Sequence, residues 1–263
     1  MSTTDTPPPP AMDPRLRARR IAIRRDEGRR RLRRVIALAA LATATLMVFG
    51  LTQSPVLDVD RVTVTGVAHT PPELVRAASE IRLHKPMTDV DLDRARRGIL
   101  ALPWVQTVSV ARQWPASVRV KVTERTPVAT VPAGQPGFAL VDRTGRVLDT
   151  SPVPPPGLPV LANVPPAGPP GTALAPEAAD LLTVATLLLP PLVPKVAAVA
   201  ATPDGVELQL AAGGKVRLGT ATDVLAKLVA ADTVLSQVDV AHLCALDVRV
   251  ASAPSLTQGG SCA

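Results

Sequence analysis

The chain has 263 residues, with 29 lysines and arginines against 22 aspartates and glutamates, so its formal net charge is +7. Residues 1–34 hold eleven arginines and four acidic residues, whereas residues 35–263 carry eighteen charges of each sign. A basic excess confined to one end argues against a nucleic-acid-binding domain, and a chain with two Phe, two Trp and no Tyr excludes a base-stacking platform.

An uncharged apolar run follows the arginine-rich segment. It covers the seventeen residues 35–51, and as an α-helix it would be about 25 Å long, slightly less than the hydrocarbon layer of a membrane. Arg33 and Arg34 can extend the span by placing their guanidinium groups among lipid headgroups at the membrane interface. The run therefore predicts a single transmembrane helix at 35–51.

The orientation of this helix follows from the positive charges. No basic residue lies between Val35 and Arg61, so the positive-inside rule keeps residues 1–34 in the cytoplasm and places all later residues outside it. Residues 1–34 lack a packed apolar pattern and are predicted to be a disordered tail. The chain is thus expected to be a single-pass protein of the plasma membrane.

A cleaved signal peptide and a buried helix of a soluble protein are the two alternatives for this run. A signal peptide has a shorter apolar stretch and a small-x-small cleavage site, and the nearest match is Thr52-Gln53-Ser54 before Pro55. Eleven arginines immediately upstream argue against the buried helix. The sequence favours the uncleaved anchor.

Residues 57–126 predict a unit with the order strand, helix, helix, strand, strand. Alternating valines and threonines predict the first strand within 58–66, and a proline-initiated helix follows at 71–79. A second helix is expected to start at Thr88 or Asp89, with an apolar stripe formed by Leu92, Ala95, Ile99 and Leu102. Two strands complete the unit, at 104–115 and 117–124.

Residues 127–250 predict a second unit, a mixed β domain with two helices. Strand patterns occur at 138–141, 196–201, 206–210, 215–218 and 246–250. One helix is predicted at 176–189, and another starts near Thr222 with an apolar face formed by Val224, Leu228, Ala231 and Leu235. The predicted fold class is α+β, and residues 251–263 are a C-terminal tail.

No catalytic or cofactor-binding arrangement is evident in the sequence. The chain has three histidines: His69, His84 and His242. None stands in a nucleophile motif, so solvated roles are preferred for them. His242-x-Cys244 supplies too few ligands for zinc, and the alternating Asp89, Asp91 and Asp93 complement a helix dipole without a metal. We predict no catalytic residue, cofactor, metal or small-molecule substrate.

Cys244 and Cys262 are the two cysteines, and both are expected on the oxidising side of the membrane. A disulfide between them would close a loop of about 18 residues and contribute roughly 3 kcal/mol. The alternative is a buried free Cys244 beside a loose tail. The distance and orientation of the two cysteines decide between the disulfide and the free thiol, and the sequence does not supply them.

A series of short motifs in fixed order resembles the FtsQ/DivIB family of bacterial cell-division proteins, in an actinobacterial version. The first group resembles the POTRA domain of that family: the Val-x-Val-x-Gly opening, the Asp-rich helix start, LPWV at 102–105, ARQWP at 111–115 and VTERTPVA at 122–129. The second group continues downstream: FALVDRTGRVL at 138–148, GLPVL at 157–161, GGKVRLG at 213–219, the pair Lys227-Leu228, and LDVRV at 246–250.

The chain departs from the family pattern at three places. Leu83, His84 and Lys85 occupy a loop where the family commonly has a glycine, and residues 151–170 contain nine prolines in place of a strand pair. Thirteen residues follow LDVRV, so the last strand of the family's β domain is expected to be shortened or missing.

The resemblance implies a non-enzymatic divisome scaffold at the division septum, which recruits and regulates the proteins of septal cell-wall synthesis. It further implies FtsB-like and FtsL-like membrane proteins as partners, with FtsW and FtsI influenced through them. A POTRA-containing translocation or export component is an alternative, but such chains continue into a long membrane β-barrel. An anchored cell-wall enzyme is a third reading, opposed by the missing catalytic residues.

The resemblance places the partner-binding region of the family at the C-terminal edge of the β domain. An open edge strand presents unpaired N–H and C=O groups that an extended partner segment can complete. The residues carried over by position are Val248, Arg249, Val250, Ala251, Ser252, Ala253, Ser255 and Leu256. The alternative is that 246–250 is an interior strand followed by a disordered tail.

Overall fold

The computed structural model describes residues 32–47, 50, 57–134 and 136–259. They form two compact units: the smaller contains residues up to Asp60 together with Leu83–Val90 and Trp114–Ala116, and the larger contains Arg61–Arg82, Asp91–Gln113 and the chain from Ser117 onward. Among the described residues, no helix has both the length and the apolar character that a membrane crossing requires. Residues 1–31 of the predicted tail and residues 48, 49 and 51 of the predicted transmembrane helix lie outside the described residues.

The smaller unit contains an N-terminal helix, described over residues 32–47, and a bridged turn. Asp58 and Pro86 form an antiparallel bridge, and the His84 N–H donates to the Val59 carbonyl over 2.9 Å. His84 has a φ of 59°, the left-handed conformation that usually favours glycine. The loop that lacks the family's glycine therefore makes its turn with a histidine.

The larger unit begins with a three-stranded sheet and two helices. Its elements are β1 (Arg61–Thr65), α1 (Pro72–Ser79), α2 (Leu92–Leu100), β2 (Val105–Gln113) and β3 (Ser117–Glu124). The sheet has the order β1-β3-β2, with β3 parallel to β1 and antiparallel to β2. The predicted order of strand, helix, helix, strand, strand is confirmed.

Helix α2 begins later than the sequence predicts. Residues Met87–Asp89 form a separate 3-10 helix, and the Asp91 carboxylate caps α2 by accepting the Arg94 N–H over 2.9 Å. The predicted apolar stripe is buried through Ala95 and Ile99. At Gly98 a Cβ would lie 2.1 Å from the Ala78 carbonyl oxygen, so α1 and α2 approach closely only because this residue has no side chain.

The remaining elements of the larger unit build a nine-stranded mixed sheet. They are β4 (Pro127–Pro132), β5 (Phe138–Asp142), β6 (Val147–Ser151), β7 (Val160–Ala162), α3 (Ala179–Leu187), β8 (Val196–Thr202), β9 (Gly205–Leu210), β10 (Lys215–Gly219), α4 (Val224–Leu235), β11 (Leu243–Asp247) and β12 (Ser255–Gln258). The strand order is β12-β11-β10-β9-β8-β7-β4-β5-β6, with parallel pairs β4–β7, β7–β8 and β10–β11.

Both helices α3 and α4 contribute to one aliphatic core with this sheet. The predicted face of α4 is confirmed, because Val224, Leu228, Ala231 and Leu235 are all buried. They join fully or nearly fully buried strand residues such as Val141, Val199, Leu208, Val216 and Leu246. The core is made of Val, Leu and Ala because aromatic residues are nearly absent.

Most predicted strands of the second unit are confirmed within a residue or two, and one is displaced. The prediction at 246–250 is wrong in its bounds, because β11 spans Leu243–Asp247 and Val248 already lies outside the strand. Four strands, β4, β6, β7 and β12, were not predicted. The proline-rich excursion at 151–170 contains β7.

A buried carboxylate connects the two sheets of the larger unit. Asp142 is 3% exposed, and its carboxylate lies 2.5 Å from Arg125 Nη1. Burial raises the pKa of Asp142, but hydrogen bonds from the Thr144 hydroxyl, the Arg125 guanidinium and the N–H groups of Arg146 and Thr144 more than offset this effect and lower the pKa. Arg125 also donates to the Val105 carbonyl in β2.

A second carboxylate fixes the loop after β1. The Glu124 side chain is 9% exposed and accepts the N–H groups of His69 and Thr70, the latter over 2.8 Å. The His69 ring stacks on Trp104 with centroids 4.2 Å apart, and its Nδ1 lies 3.1 Å from Glu124 Oε2. Burial raises the pKa of Glu124, yet the hydrogen bonds from His69 and Thr70 lower it to about 2.

The Glu124 contacts predict a specific pH dependence of stability. Because the pKa of Glu124 is lower in the folded chain than its ordinary value of 4.5, its contribution is complete above that value and is lost as the pH falls from 4.5 towards about 2. We expect Glu124→Gln to lower the free energy of unfolding at neutral pH by about 2 kcal/mol and to flatten this acid-side decrease. Urea denaturation at a series of pH values measures both effects.

Glu73→Gln is the matched control, because the Glu73 side chain is 75% exposed. It should leave the stability and its pH profile close to those of the unaltered chain. An acid-side decrease in Glu124→Gln as steep as in the unaltered chain would contradict the assignment.

Candidate partner-binding edge

The nine-stranded sheet ends in β6 on one side, and this edge is partly covered by the chain itself. The Val147 N–H donates to the Thr172 carbonyl over 2.9 Å, and the Gly171 N–H donates to the Val147 carbonyl over 2.8 Å. Arg146 and Ala173 extend the contact as an antiparallel bridge. Backbone groups in the first part of β6 are therefore paired on both sides.

The opposite edge is formed by β12, which follows a turn after β11. It pairs antiparallel with β11, with Leu256 opposite Leu246 and Thr257 opposite Ala245. All four residues of β12 are exposed, and within the described part of the chain no strand lies on its outer side. A last strand was expected to be shortened or missing, and the structure has a strand of four residues at this position.

Leu256 gives this edge an apolar anchor. Residues opposite each other in an antiparallel pair project from the same face, so Leu256 lies on the face of fully buried Leu246. Leu256 is nevertheless 40% exposed, because no further strand covers it within the described residues. An added strand would bury this side chain at the end of the core.

The structure separates the predicted edge residues into three groups. Val248 is fully buried, and its N–H donates to the Arg217 carbonyl over 3.0 Å, so its side chain does not face a partner. A turn connects β11 to β12 and contains Arg249, Val250, Ala251, Ser252 and Ala253. Ser255 and Leu256 lie in the edge strand itself.

Arg249 orients the start of this turn. Its guanidinium contacts the Asp247 carboxylate at 2.7 Å, and its N–H donates to the same carboxylate over 3.0 Å. The Arg249 side chain is the main cause of a lowered pKa at Asp247. Val250 is 60% exposed beside this pair and adds an apolar surface.

A shallow groove of 560 Å³ borders the edge strand on the polar face of the sheet. Glu207, Lys215, Arg217 and Thr257 are among its lining residues. Glu207 Oε2 lies 3.7 Å from Lys215 Nζ and 3.9 Å from Arg217 Nε, so these cations already have an acidic neighbour. The groove can hold the polar side chains of a strand added to β12.

Sequence reasoning missed Thr257 and Gln258, which complete the edge strand. Their alternation with Ser255 and Leu256 was the available signal, but four residues are too few to separate a strand from a tail. Within the described ranges, no group of three or more His, Cys, Asp or Glu residues could hold a metal ion. The Nε2 atom of His242 lies 3.7 Å from the Asp239 carboxylate.

Two family models match adjacent parts of the chain. The model described as "POTRA domain, FtsQ-type" matches residues 57–125, and the model described as "Cell division protein FtsQ/DivIB, C-terminal" matches residues 129–249. The second match includes β11 and ends before β12. Together they cover both sheets up to Arg249, apart from the first two residues of β4.

Curated relatives named cell division protein FtsQ are similar over part of the chain. The protein of Streptomyces bingchenggensis is 39% identical over 51% of this chain and 54% of its own length. Those of Streptomyces collinus and Mycobacteroides abscessus are 38% and 31% identical, over 52% and 64% of this chain and 53% and 50% of their own. The chain thus spans about half the length of the curated relatives it matches.

Cys244 lies in β11 and carries no free thiol. Cys262 lies outside the described residues, so its bridge to Cys244 stays a prediction. A maleimide added to the denatured, unreduced chain should label no cysteine, and reduction should expose two reactive thiols. Mass spectrometry counts the labels, and two labels before reduction would contradict the bridge.

Proposed function

Because the chain belongs to the FtsQ/DivIB family of bacterial cell-division proteins, we propose that it is a non-enzymatic divisome scaffold. In this role it recruits and regulates the proteins of septal cell-wall synthesis by protein contacts. The β12 edge is the observation that carries the proposal. An enzyme would need a positioned base together with a nucleophile. The His69 ring contacts Trp104 and Glu124, and among the described residues no nucleophile is hydrogen-bonded to it.

The proposed mode of binding is β-strand addition at β12. A partner segment in extended conformation would pair with the outer backbone groups of β12, which supply affinity, while alternate side chains supply selectivity. Leu256 would be covered by an apolar partner residue, and Ser255 and Thr257 would face polar ones across the groove. The turn residues from Arg249 to Ala253 would contact the end of the same segment.

The proposed partners are FtsB-like and FtsL-like division proteins, with FtsW and FtsI influenced through them. An extended partner segment of a few residues suffices, because β12 has four residues. No nucleic acid or small-molecule substrate is part of the proposal, since the basic excess of the chain resides in residues 1–34.

The proposed location is the plasma membrane at the division septum, with residues 1–34 in the cytoplasm and both sheets outside it. The apolar run at 35–51 supports a single anchor. Side chains of the N-terminal helix add to this support, because residues 32–47 are all exposed and Leu38, Leu41 and Leu46 are each 65% exposed or more. Apolar side chains exposed around a helix are typical of a lipid environment.

Proline substitution tests the edge directly, because proline removes one backbone N–H. N–H groups alternate in direction along an edge strand, so one of Leu256→Pro and Thr257→Pro removes an N–H that faces away from β11. We expect the variant that keeps the melting temperature of the unaltered chain to lose capture of the FtsB-like protein by about tenfold or more in co-purification from membranes.

Thr257→Val is the matched control, since valine keeps the N–H and favours strands. It should retain capture. Normal capture by both proline variants would overturn strand addition at β12, whereas equal loss in Thr257→Val would assign binding to the Thr257 side chain instead of the backbone.

A further inference from the structure

No helix described in the larger unit covers one face of the three-stranded sheet. Register pairs place the following residues on this outer face: Arg61, Thr63 and Thr65 of β1, Thr107, Ser109, Ala111 and Gln113 of β2, and Ser117, Arg119, Lys121 and Thr123 of β3. Nearly all of them are exposed. The opposite face holds Val108, Val118, Val120 and Val122, which are buried.

Three cations on the outer face form a line, which we call the cationic row: Arg61, Arg119 and Lys121. Arg119 and Lys121 are two residues apart on β3, which separates their Cα atoms by about 6.6 Å. Arg61 lies opposite Ser117 on the neighbouring strand, so it continues the row with a Cα separation of about 8 Å from Arg119.

Hydroxyl groups flank the cationic row on both sides. Thr63 lies beside Arg119 and Thr65 beside Lys121 on β1, while Ser109 lies beside Lys121 on β2. The Thr63 and Ser109 hydroxyls can each donate one hydrogen bond to an anion held by the adjacent cation. The Thr65 hydroxyl already donates to the Val120 carbonyl over 3.4 Å. The face therefore combines a line of positive charge with neutral donors next to it.

The row has no compensating acidic neighbour in the part of the chain that the structure describes. No Asp or Glu occupies the outer-face positions of β1, β2 or β3, and no member of the row forms an ion pair with a described residue. The cations near the β12 edge differ in this respect, because Lys215 and Arg217 neighbour Glu207 and Arg249 pairs with Asp247. A surface lined by charge of one sign attracts ligands of the opposite charge.

We propose that the outer face of the POTRA domain binds a linear phosphodiester polymer along the cationic row. Successive phosphates of an extended polyol-phosphate chain repeat at a distance close to the cation spacing on β3. Each phosphate presents two non-bridging oxygens, one for a cation and one for a flanking Thr or Ser hydroxyl.

The arrangement favours this ligand over two other anions. A lipid layer would match cations spread over the whole face, whereas these three lie only along β3 and at the adjoining start of β1, with neutral residues around them. An acidic peptide could place carboxylates at the spacing of the cations on β3. Its neutral side chains would then lie opposite the flanking hydroxyls, which would have no anion to donate to.

The proposal can be tested by calorimetry. The full chain is held in a neutral detergent and titrated with synthetic poly(glycerol phosphate). We expect affinity to fall with salt, with a slope of about 2 in log K against log salt for three phosphate contacts. The triple variant Arg61→Gln, Arg119→Gln and Lys121→Gln should bind at least about tenfold more weakly and lose most of the slope.

The matched control changes three exposed arginines on the helices of the same domain: Arg76→Gln, Arg96→Gln and Arg97→Gln. It alters net charge equally, so affinity within about twofold of the unaltered chain supports the row and an equal loss overturns it. Tighter binding of poly-glutamate than of poly(glycerol phosphate), abolished by the first triple variant, would instead assign the row to an acidic protein. Preferred binding to vesicles containing phosphatidylglycerol would assign it to a lipid surface.

This surface is independent of the β12 edge. The two lie on different sheets and share no residue, so the first triple variant should still capture the FtsB-like protein. A failed titration with intact capture would remove the polymer proposal and leave the scaffold proposal in place.

Discussion

An open β sheet must end in two strands, and each end strand leaves backbone N–H and C=O groups without a partner in the sheet. The nine-stranded sheet of this protein treats its two ends differently. Residues 171–173 pair with β6 at one end, whereas β12 at the other end is short, exposed and bordered by a polar groove. The proposed scaffold function depends on this difference, because a sheet with one partly covered edge favours strand addition at the other.

Charged groups in the larger unit have two distinct roles. Glu124, Asp142 and Lys227 are buried or nearly so and act within the fold: Glu124 holds a loop, Asp142 binds Arg125, and the Lys227 ammonium donates to the Thr220 carbonyl over 2.8 Å. The cationic row is exposed and forms no ion pair within the described part of the chain, and we propose that it binds an external anion. The residue types alone do not distinguish these two sets of charged residues. Only the burial and the neighbours of each side chain distinguish them.

Local periodicity was enough to predict much of this fold. The alternation of Val118, Val120 and Val122 gave β3 with both bounds correct, and the stripe through Leu228 and Ala231 gave the buried face of α4. Periodicity could not predict β7 or β12, because three or four residues are too few to show an alternating pattern. Such short strands are stabilised by pairing with strands that are distant in sequence. The residues predicted for the edge site include Ser255 and Leu256 of the edge strand, but also Val248, because a buried valine and an exposed one look the same in sequence.

Strand addition at β12 can be tested by photocrosslinking in living cells. A photoreactive amino acid at Ser255, Leu256 or Thr257 should crosslink to a membrane protein of the division machinery, while the same residue at Asp149 or Thr150 of β6 should not. Equal crosslinking from both strands, or crosslinks to that protein from β6 and none from β12, would contradict the account.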